Sequence, residues 1–232
     1  MFEVIAFDAD DTLWHNEPLY QQTQAKLKLL LAQYVPAEKI EQHLYQTETR
    51  NLPYFGYGIK SFTLSMIQTA AELTAGCIDG SEILEIINFS REMLDARLEL
   101  LDGVQGVIEL LARKHQLMII TKGDLLDQER KLSRSGLAQY FPFVEIVTDK
   151  TPETYAALFK THRIDPQSFL MVGNSLRSDI LPVVSLGAQA VYIPYALTWA
   201  HEYEIEHLQS KRGYHQISQI EELPELIKRL SA

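Results

Sequence analysis

Three aspartates follow a short apolar stretch near the start of the chain, in the sequence VIAFDADDTLW at residues 4–14. Asp8, Asp10 and Asp11 come directly after four apolar residues that predict a buried strand. Carboxylates this close together repel one another, and burying them without partners is costly. We therefore expect a cation to be held among them.

Polar residues also follow three later apolar segments that have the pattern of strands. In an open α/β sheet a ligand binds beyond the carboxyl ends of the strands, so the residues directly after each strand are candidates for a site. In chain order these candidates are Asp8, Asp10 and Thr12; Thr121, Lys122 and Gly123; Lys150; and Gly173, Asn174 and Asp179. The pattern predicts that all four groups meet at one edge of a parallel sheet.

Two patterns of apolar residues predict the elements that must position these groups. After residue 100, helices alternate with short apolar strands, which is typical of a parallel sheet covered on both faces. Before residue 98, apolar residues recur at intervals of three and four, which indicates helices only. The predicted helices are 18–33, 36–50, 61–73, 81–98, 104–114, 125–135, 152–162 and 178–186, and the predicted strands are 3–8, 116–121, 143–147, 169–173 and 188–193.

The first strand is expected to join the later sheet, since a lone strand on a helical bundle would leave its backbone groups unpaired. We therefore predict an α/β fold, in which a Rossmann-like parallel sheet core (residues 1–15 and 99–232) carries an inserted all-helical segment (residues 16–98). The stretch at 51–62 is predicted to break the helical pattern, because it holds two glycines and four aromatic residues. For the connector at residues 194–215 we predict no helix or strand, and we expect Trp199 and His201 to pack it.

The composition excludes several classes of function. The formal net charge of −10, from 21 Lys and Arg against 31 Asp and Glu, repels nucleic acid and anionic membranes. Cys77 is the single cysteine, which excludes an internal disulfide, and no apolar run of about 18 residues predicts a membrane helix. We expect a cytoplasmic protein that binds neither nucleic acid nor a membrane.

The four motifs, in this order, resemble those of the haloacid dehalogenase superfamily, which is dominated by magnesium-dependent phosphatases. They are DADDTL (8–13), IITKG (119–123), DKTPETY (149–155) and VGNSLRSDI (172–180). The inserted helices stand where this family has a helical cap of the C1 type. The resemblance implies a magnesium-dependent phosphohydrolase that acts on a small phosphorylated metabolite, a phosphomonoester, through an aspartyl-phosphate intermediate.

The resemblance also implies roles for individual residues. Asp8 is the expected nucleophile, and Asp10 is the expected general acid and then the base for the attacking water. Thr121 is expected to bind a phosphoryl oxygen, and Lys150 to offset negative charge on the phosphoryl group and the nucleophile. The further candidates for substrate binding are Thr12, Lys122 and Gly123 in the core, and Tyr57 and Lys60 in the inserted segment.

Magnesium is the cation that the resemblance implies, and it prefers oxygen ligands. Its expected ligands are Asp8, the backbone carbonyl of Asp10, Asn174 and Asp179. The family often has aspartate where this chain has Asn174, so we expect less charge and weaker magnesium affinity at that position. Lys122 stands where the family commonly has asparagine, and it either favours acidic substrates or points to solvent. For Tyr57 and Lys60, a packed turn between helices is the alternative to substrate recognition.

Other functions stay open at this point. A phosphotransferase or phosphomutase of the same fold has the same motifs. A non-catalytic receiver module also accepts a phosphoryl group on aspartate, but that aspartate lies on an interior strand and the module has no helical insert. A binding protein with a decayed site would account for Asn174. Dehalogenation is disfavoured, because the family's dehalogenases lack the second aspartate, which is Asp10 here. Monomer and homodimer are both compatible with the sequence.

Overall fold

The computed structural model describes residues 2–197 and 213–231. The chain divides into two compact units. The first unit comprises Met1–His15, Leu98–Lys122 and Gln128–Ala232, and the second comprises Asn16–Arg97 and Gly123–Asp127. The packing predicted for Trp199 and His201 lies outside the described residues.

Within the described residues, five helices follow the first strand, and helices and strands alternate from residue 104 to residue 192, as predicted for this part of the chain. The strands are β1 (Val4–Phe7), β2 (Gln116–Lys122), β3 (Phe143–Val147), β4 (Phe169–Gly173), β5 (Gln189–Tyr192) and β6 (His215–Gln216). The helices are α1 (Glu17–Leu31), α2 (Ala37–Phe55), α3 (Ile59–Leu73), α4 (Gly80–Asp95), α5 (Val104–Leu111), α6 (Leu125–Ser135), α7 (Pro152–His162), α8 (Leu181–Ser185) and α9 (Leu223–Leu230). No described helix is long and apolar enough to cross a membrane.

The first unit is built around a parallel sheet, in the order β3-β2-β1-β4-β5-β6 over the described residues. This confirms the predicted α/β class and the prediction that the first strand joins the later sheet. β1 pairs with β2 on one side and β4 on the other, with Val4 opposite both Gln116 and Phe169. Because β1 is interior, its place in the sheet does not separate this chain from a receiver module; the helical insert does.

The residues of β1 alternate between two buried clusters, as the pleat of a strand requires. Ile5 and Phe7 belong to the cluster on one face, and Val4 and Ala6 to the cluster on the other. Both faces of the strand are therefore covered, and its carboxyl end at Asp8 is held within a well-packed layer.

The second unit is helical, with a core formed between α1, α2, α3 and α4. The predicted break at 51–62 is wrong in extent. α2 continues through Pro53 to Phe55, so the turn before α3 is reduced to residues 56–58. The buried Asn51 explains the longer helix, because its Nδ2 donates to Ser65 Oγ and Gln68 Oε1, each at 3.0 Å, and ties this end of α2 to α3.

Residues 123–127 belong to the second unit although they follow β2 in the chain. The backbone N–H of Lys60, at the start of α3, donates to the Asp124 carboxylate at 3.0 Å. Gly58 lies against the same residue, since a Cβ there would be 2.8 Å from the Asp124 nitrogen. Residues 123–127 therefore pack against the start of α3, and the helical unit includes this turn in addition to residues 16–97.

The segment after β4 also differs from its prediction. Instead of one helix over 178–186, residues 176–180 form a π-helical turn and α8 begins at Leu181. Ser175 caps the turn, because its hydroxyl accepts the Ser178 N–H at 3.0 Å. Pro182 then lies in the first turn of α8, where a missing N–H costs little. Other ends move by a few residues: α4 stops at Asp95 and α5 at Leu111.

Candidate active site

Three strand ends of the first unit place an ammonium group between two carboxylates. Lys150, just after β3, donates through Nζ to Asp8 Oδ1 at 2.5 Å and to Asp179 Oδ1 at 2.7 Å. Asp8 directly follows β1, and Asp179 lies in the π-helical turn after β4. All three side chains are buried. The structure thus brings Asp8, Lys150 and Asp179, which the sequence places at separate strand ends, into direct contact.

The charges in this cluster do not balance, since two carboxylates share one ammonium group. Burial raises the pKa of Asp8 to about 7; Lys150 opposes this rise, and the charges of Asp179 and Asp10 add to it. Burial lowers the pKa of Lys150, but the carboxylates of Asp179 and Asp8 outweigh it, so the net direction is upward and the ammonium form is favoured. A further cation beside Asp8 would favour its ionised form.

Hard oxygen atoms line this cluster. Thr12 Oγ1 lies 3.1 Å from Asp8 Oδ2 and 3.2 Å from Asn174 Oδ1, so one hydroxyl hydrogen is shared between these two acceptors. The second oxygen of Asp179 accepts the Ser175 N–H at 3.0 Å. These contacts fix the positions of oxygen atoms of Asp8, Asn174 and Asp179 beside Thr12 and Ser175.

These oxygens fit a magnesium ion better than a softer metal. Among residues 2–197 and 213–231, no group of three or more His, Cys, Asp or Glu side chains is placed to hold a metal. A cation here would be bound by two carboxylates and completed by amide, backbone and water oxygens, which is the kind of ligand set that Mg²⁺ accepts. Gly173 allows the Asp179 carboxylate to lie close to the backbone of β4, since a Cβ at residue 173 would be 2.3 Å from Asp179 Oδ2.

The end of β2 supplies the residues predicted to bind the phosphoryl group. Thr121 is buried, and its hydroxyl lies 3.4 Å from the carbonyl oxygen of Lys122. Lys122 does not simply point to solvent, because its Nζ donates to Ser178 Oγ at 2.8 Å, next to Asp179 in the chain. Gly123 follows with φ +130°, a conformation that favours glycine.

Asp10 is held by side chains that the sequence analysis did not identify. Its carboxylate accepts from Trp14 Nε1 at 2.6 Å, Gln128 Nε2 at 2.8 Å and Lys131 Nζ at 3.0 Å. The one signal in the sequence is spacing. Trp14 is four residues after Asp10, and Gln128 and Lys131 are three residues apart on α6, so they share a face of that helix.

Tyr57 and Lys60 belong to the second unit. Tyr57 lies in the turn between α2 and α3, and the Lys60 side chain is exposed, with its Nζ 3.4 Å from Asp124 Oδ1. The role of either residue in substrate recognition stays a prediction.

Comparison with known proteins finds a matching family model and a similar protein of known structure. A family model described as haloacid dehalogenase-like hydrolase matches residues 2–187. A haloacid dehalogenase-like family hydrolase of known structure from Xanthomonas campestris is 36% identical, with a TM-score of 0.88, and the match covers 99% of this chain and 91% of that one.

Two curated relatives are named as phosphatases. The 5-amino-6-(5-phospho-D-ribitylamino)uracil phosphatase of Escherichia coli (strain K12) is 24% identical over 82% of this chain and 82% of the relative. The glyceraldehyde 3-phosphate phosphatase of Pyrococcus abyssi (strain GE5 / Orsay) is 26% identical over 84% of this chain and 82% of the relative.

Proposed function

This chain belongs to the haloacid dehalogenase-like hydrolases, and on that premise we propose that it is a magnesium-dependent phosphatase that hydrolyses a small phosphomonoester. The observation that carries the proposal is the buried cluster in which Lys150 lies between Asp8 and Asp179. Its unbalanced negative charge and oxygen ligands suit a divalent cation, and a cation together with a lysine suits a phosphoryl group.

The first half of the proposed reaction transfers the phosphoryl group to the protein. An Asp8 carboxylate oxygen attacks phosphorus, and the bond between phosphorus and the leaving oxygen breaks, with its electron pair staying on that oxygen. The leaving oxygen takes the proton of the Asp10 carboxyl group. The Thr121 hydroxyl and the backbone N–H groups of Lys122 and Gly123 bind phosphoryl oxygens, and Lys150 offsets their charge.

The second half returns the protein to its starting state. Asp10, now a carboxylate, takes a proton from a water molecule while the water oxygen attacks phosphorus. The bond between phosphorus and the Asp8 oxygen breaks, and inorganic phosphate leaves. Asp8 is again a carboxylate and Asp10 is again protonated, so each turnover consumes one ester and one water.

The cation has a defined place in this proposal. Asp8, Asp179, Asn174 and the backbone carbonyl of Asp10 would hold Mg²⁺, which neutralises negative charge on the phosphoryl oxygens when it is bound. The amide of Asn174 adds no charge, so we propose that magnesium binds more weakly than it would to an aspartate at this position.

The size of the substrate is proposed from two observations. The names of both curated phosphatases specify small phosphorylated metabolites. The net charge of −10 disfavours an extended polyanion as substrate. A small phosphomonoester fits both, with Tyr57 and Lys60 of the helical unit as the residues proposed to recognise its leaving group.

Release of phosphate from 4-nitrophenyl phosphate tests the proposal. We expect sustained turnover with Mg²⁺, loss of turnover with EDTA, and no turnover after Asp8→Asn. The matched control is Asp102→Asn, since Asp102 is an exposed aspartate of the same unit. Phosphorylation that stops at one equivalent per chain would indicate a receiver, and turnover that survives Asp8→Asn would contradict the proposal.

A further inference from the structure

Both oxygens of the Asp10 carboxylate are occupied by donors. Lys131 Nζ lies 3.0 Å from Oδ1 and 3.1 Å from Oδ2, and it is therefore centred on the carboxylate. Trp14 Nε1 adds a contact to Oδ1, and Gln128 Nε2 adds one to Oδ2. The last dihedral angle of an aspartate side chain is otherwise loosely restrained. Donors on both oxygens fix it.

The donors approach from two parts of the first unit. Trp14 belongs to the same loop as Asp10, and Gln128 and Lys131 belong to α6. The side chains of Gln128 and Lys131 are largely buried, so water competes little for these hydrogen bonds. The orientation of Asp10 therefore depends on α6 as well as on its own loop.

The amide of Gln128 has one possible orientation. Its Nε2 donates to Asp10 Oδ2 at 2.8 Å and to the Lys122 carbonyl oxygen at 3.1 Å. A reversed amide would place Oε1 against both of these acceptors. Gln128 thus connects Asp10 to the end of β2, where Thr121 lies.

Within the described part of the chain, the amide oxygen of Gln128 makes no hydrogen bond that would stabilise the fold. Gln128 Oε1 is buried and has no hydrogen-bond donor among the described residues. A buried acceptor without a donor destabilises a fold. The polar interactions that the Gln128 side chain makes with the described residues are therefore the two hydrogen bonds of Nε2, and one of them holds Asp10.

We propose that Gln128 and Lys131 are positioning residues that fix the Asp10 carboxyl group in the orientation required for proton transfer to the leaving oxygen. This inference rests on the proposed phosphatase function. In that reaction Asp10 gives its proton to the leaving oxygen as the bond to phosphorus breaks. A misdirected Asp10 therefore harms substrates whose leaving group needs a proton more than those whose leaving group departs as an anion.

Two aryl phosphates separate these cases. 4-Nitrophenolate leaves readily as an anion, whereas the leaving oxygen of phenyl phosphate needs a proton. The ratio of kcat/KM for the two esters reports the transfer to Asp8 and not the later hydrolysis. We expect Gln128→Met and Lys131→Met each to raise this ratio, in favour of 4-nitrophenyl phosphate, by about tenfold, a part of the usual effect of general acid catalysis.

The controls separate positioning from structural damage. Arg130→Met removes an exposed cation of the same helix and should leave the ratio unchanged. Lys131→Arg keeps a charged donor, so its ratio should stay close to that of the wild type. Gln128→Met should keep the thermal unfolding midpoint near that of the wild type, because the loss of the two hydrogen bonds of Nε2 is offset by the removal of the buried acceptor Oε1. If Lys131→Met does not fold, Gln128→Met alone decides the test.

The outcomes for the inference and for the proposed function are distinguishable. A wild-type protein that hydrolyses neither ester would overturn the proposed function. An active wild type whose ratio is unchanged in Gln128→Met would overturn the inference alone. Equal losses on both esters, together with a lowered unfolding midpoint, would assign these residues a structural role and would also overturn the inference.

Discussion

Lys150 sets the charge balance of the site at the scale of single residues. It donates to Asp8 and Asp179, and all three side chains are buried. Such a group adds little net stability compared with well-packed apolar residues, but removal of one member leaves an uncompensated buried charge. The lysine is therefore important to stability as well as to the proposed chemistry.

Replacement of Lys150 by methionine should expose this dependence. In metal-free buffer at alkaline pH, Lys150→Met should lower the free energy of unfolding by about 3–5 kcal/mol, since two buried carboxylates lose their partner. Mg²⁺ should restore part of the loss, because a cation at the same oxygens replaces the missing charge. Chemical denaturation with EDTA and with Mg²⁺ measures both effects. An equal loss in both buffers, or a loss no larger than that of the exposed Lys114→Met, would contradict the prediction.

Single residues were predicted from the sequence only where a motif marked them. Asp8, Lys150 and Asp179 each follow an apolar strand, and strand ends converge in a parallel sheet. Gln128 and Lys131 were missed, because their spacing on α6 is that of any helix face. Their contact with Asp10 depends on where the sheet places that helix, which periodicity does not encode.

At the scale of elements, the π-helical turn after β4 positions Asp179. Ser175 caps this turn through Ser178, and its own N–H holds the second oxygen of Asp179. Gly173, at the end of β4, permits the close approach of the carboxylate. Sequence analysis predicted an ordinary α-helix here, because a single π-helical turn produces no distinct spacing of apolar residues in the sequence.

Gly173→Ala should disrupt the turn through the added methyl group. The new Cβ would lie 2.3 Å from Asp179 Oδ2 and 2.4 Å from Cγ, so the carboxylate must leave its position beside Lys150. We expect kcat/KM to fall about a hundredfold, as for other displacements of a reacting group. Gly106→Ala is the matched control, since nothing lies within 4 Å of its Cβ and it should stabilise α5 by about 0.5–1 kcal/mol. Phosphate release and thermal unfolding of both variants check this, and full activity in Gly173→Ala would contradict it.

Two carboxyl groups of the helical unit make its stability depend on pH. Burial raises the pKa of Glu48 in α2 from 4.5 to about 8, and the charge of Glu17 in α1 adds to the rise. Burial also raises the pKa of Glu17, to about 7. Since both pKa values are higher in the folded protein than in the unfolded chain, the folded state binds more protons over this range, and its stability falls as the pH rises.

The thermal unfolding midpoint should therefore decrease between about pH 4.5 and about pH 8. Glu48→Gln should reduce this decrease and unfold at a higher temperature than the wild type at the alkaline end, because one carboxyl group fewer has to ionise inside the unit. Glu85→Gln, at an exposed position of α4, should behave as the wild type. Identical pH profiles for wild type and Glu48→Gln would show that this carboxyl group is not the cause.

The extent of α2 was not predictable from its sequence, since Pro53 and two following glycines favour a break. The helix nevertheless continues to Phe55. Asn51 and its partners Ser65 and Gln68 on α3 make the difference, because these contacts form only when the two helices pack. Tertiary packing outweighs local preference here.

At the scale of the whole molecule, the class of fold followed from the sequence and the order of strands did not. Alternating helices and apolar strands predicted a parallel sheet, but the interior place of β1 depends on long-range pairing with β2 and β4. The sequence analysis also assigned no elements near the end of the chain, where β6 and α9 lie. In α9 the signal was present, since the buried Leu223, Leu226 and Ile227 recur at helical spacing.

The transient phosphorylation of Asp8 is the central claim, and mass spectrometry of an acid-quenched reaction tests it most directly. In Asp10→Asn, 4-nitrophenyl phosphate should still transfer its phosphoryl group, because its leaving group departs as an anion, whereas hydrolysis lacks its base. The account predicts that the peptide containing Asp8 gains the mass of one phosphoryl group, and that this gain is lost in the Asp8→Asn, Asp10→Asn double variant. A phosphoryl group on another residue, or none in the presence of Mg²⁺, would contradict it.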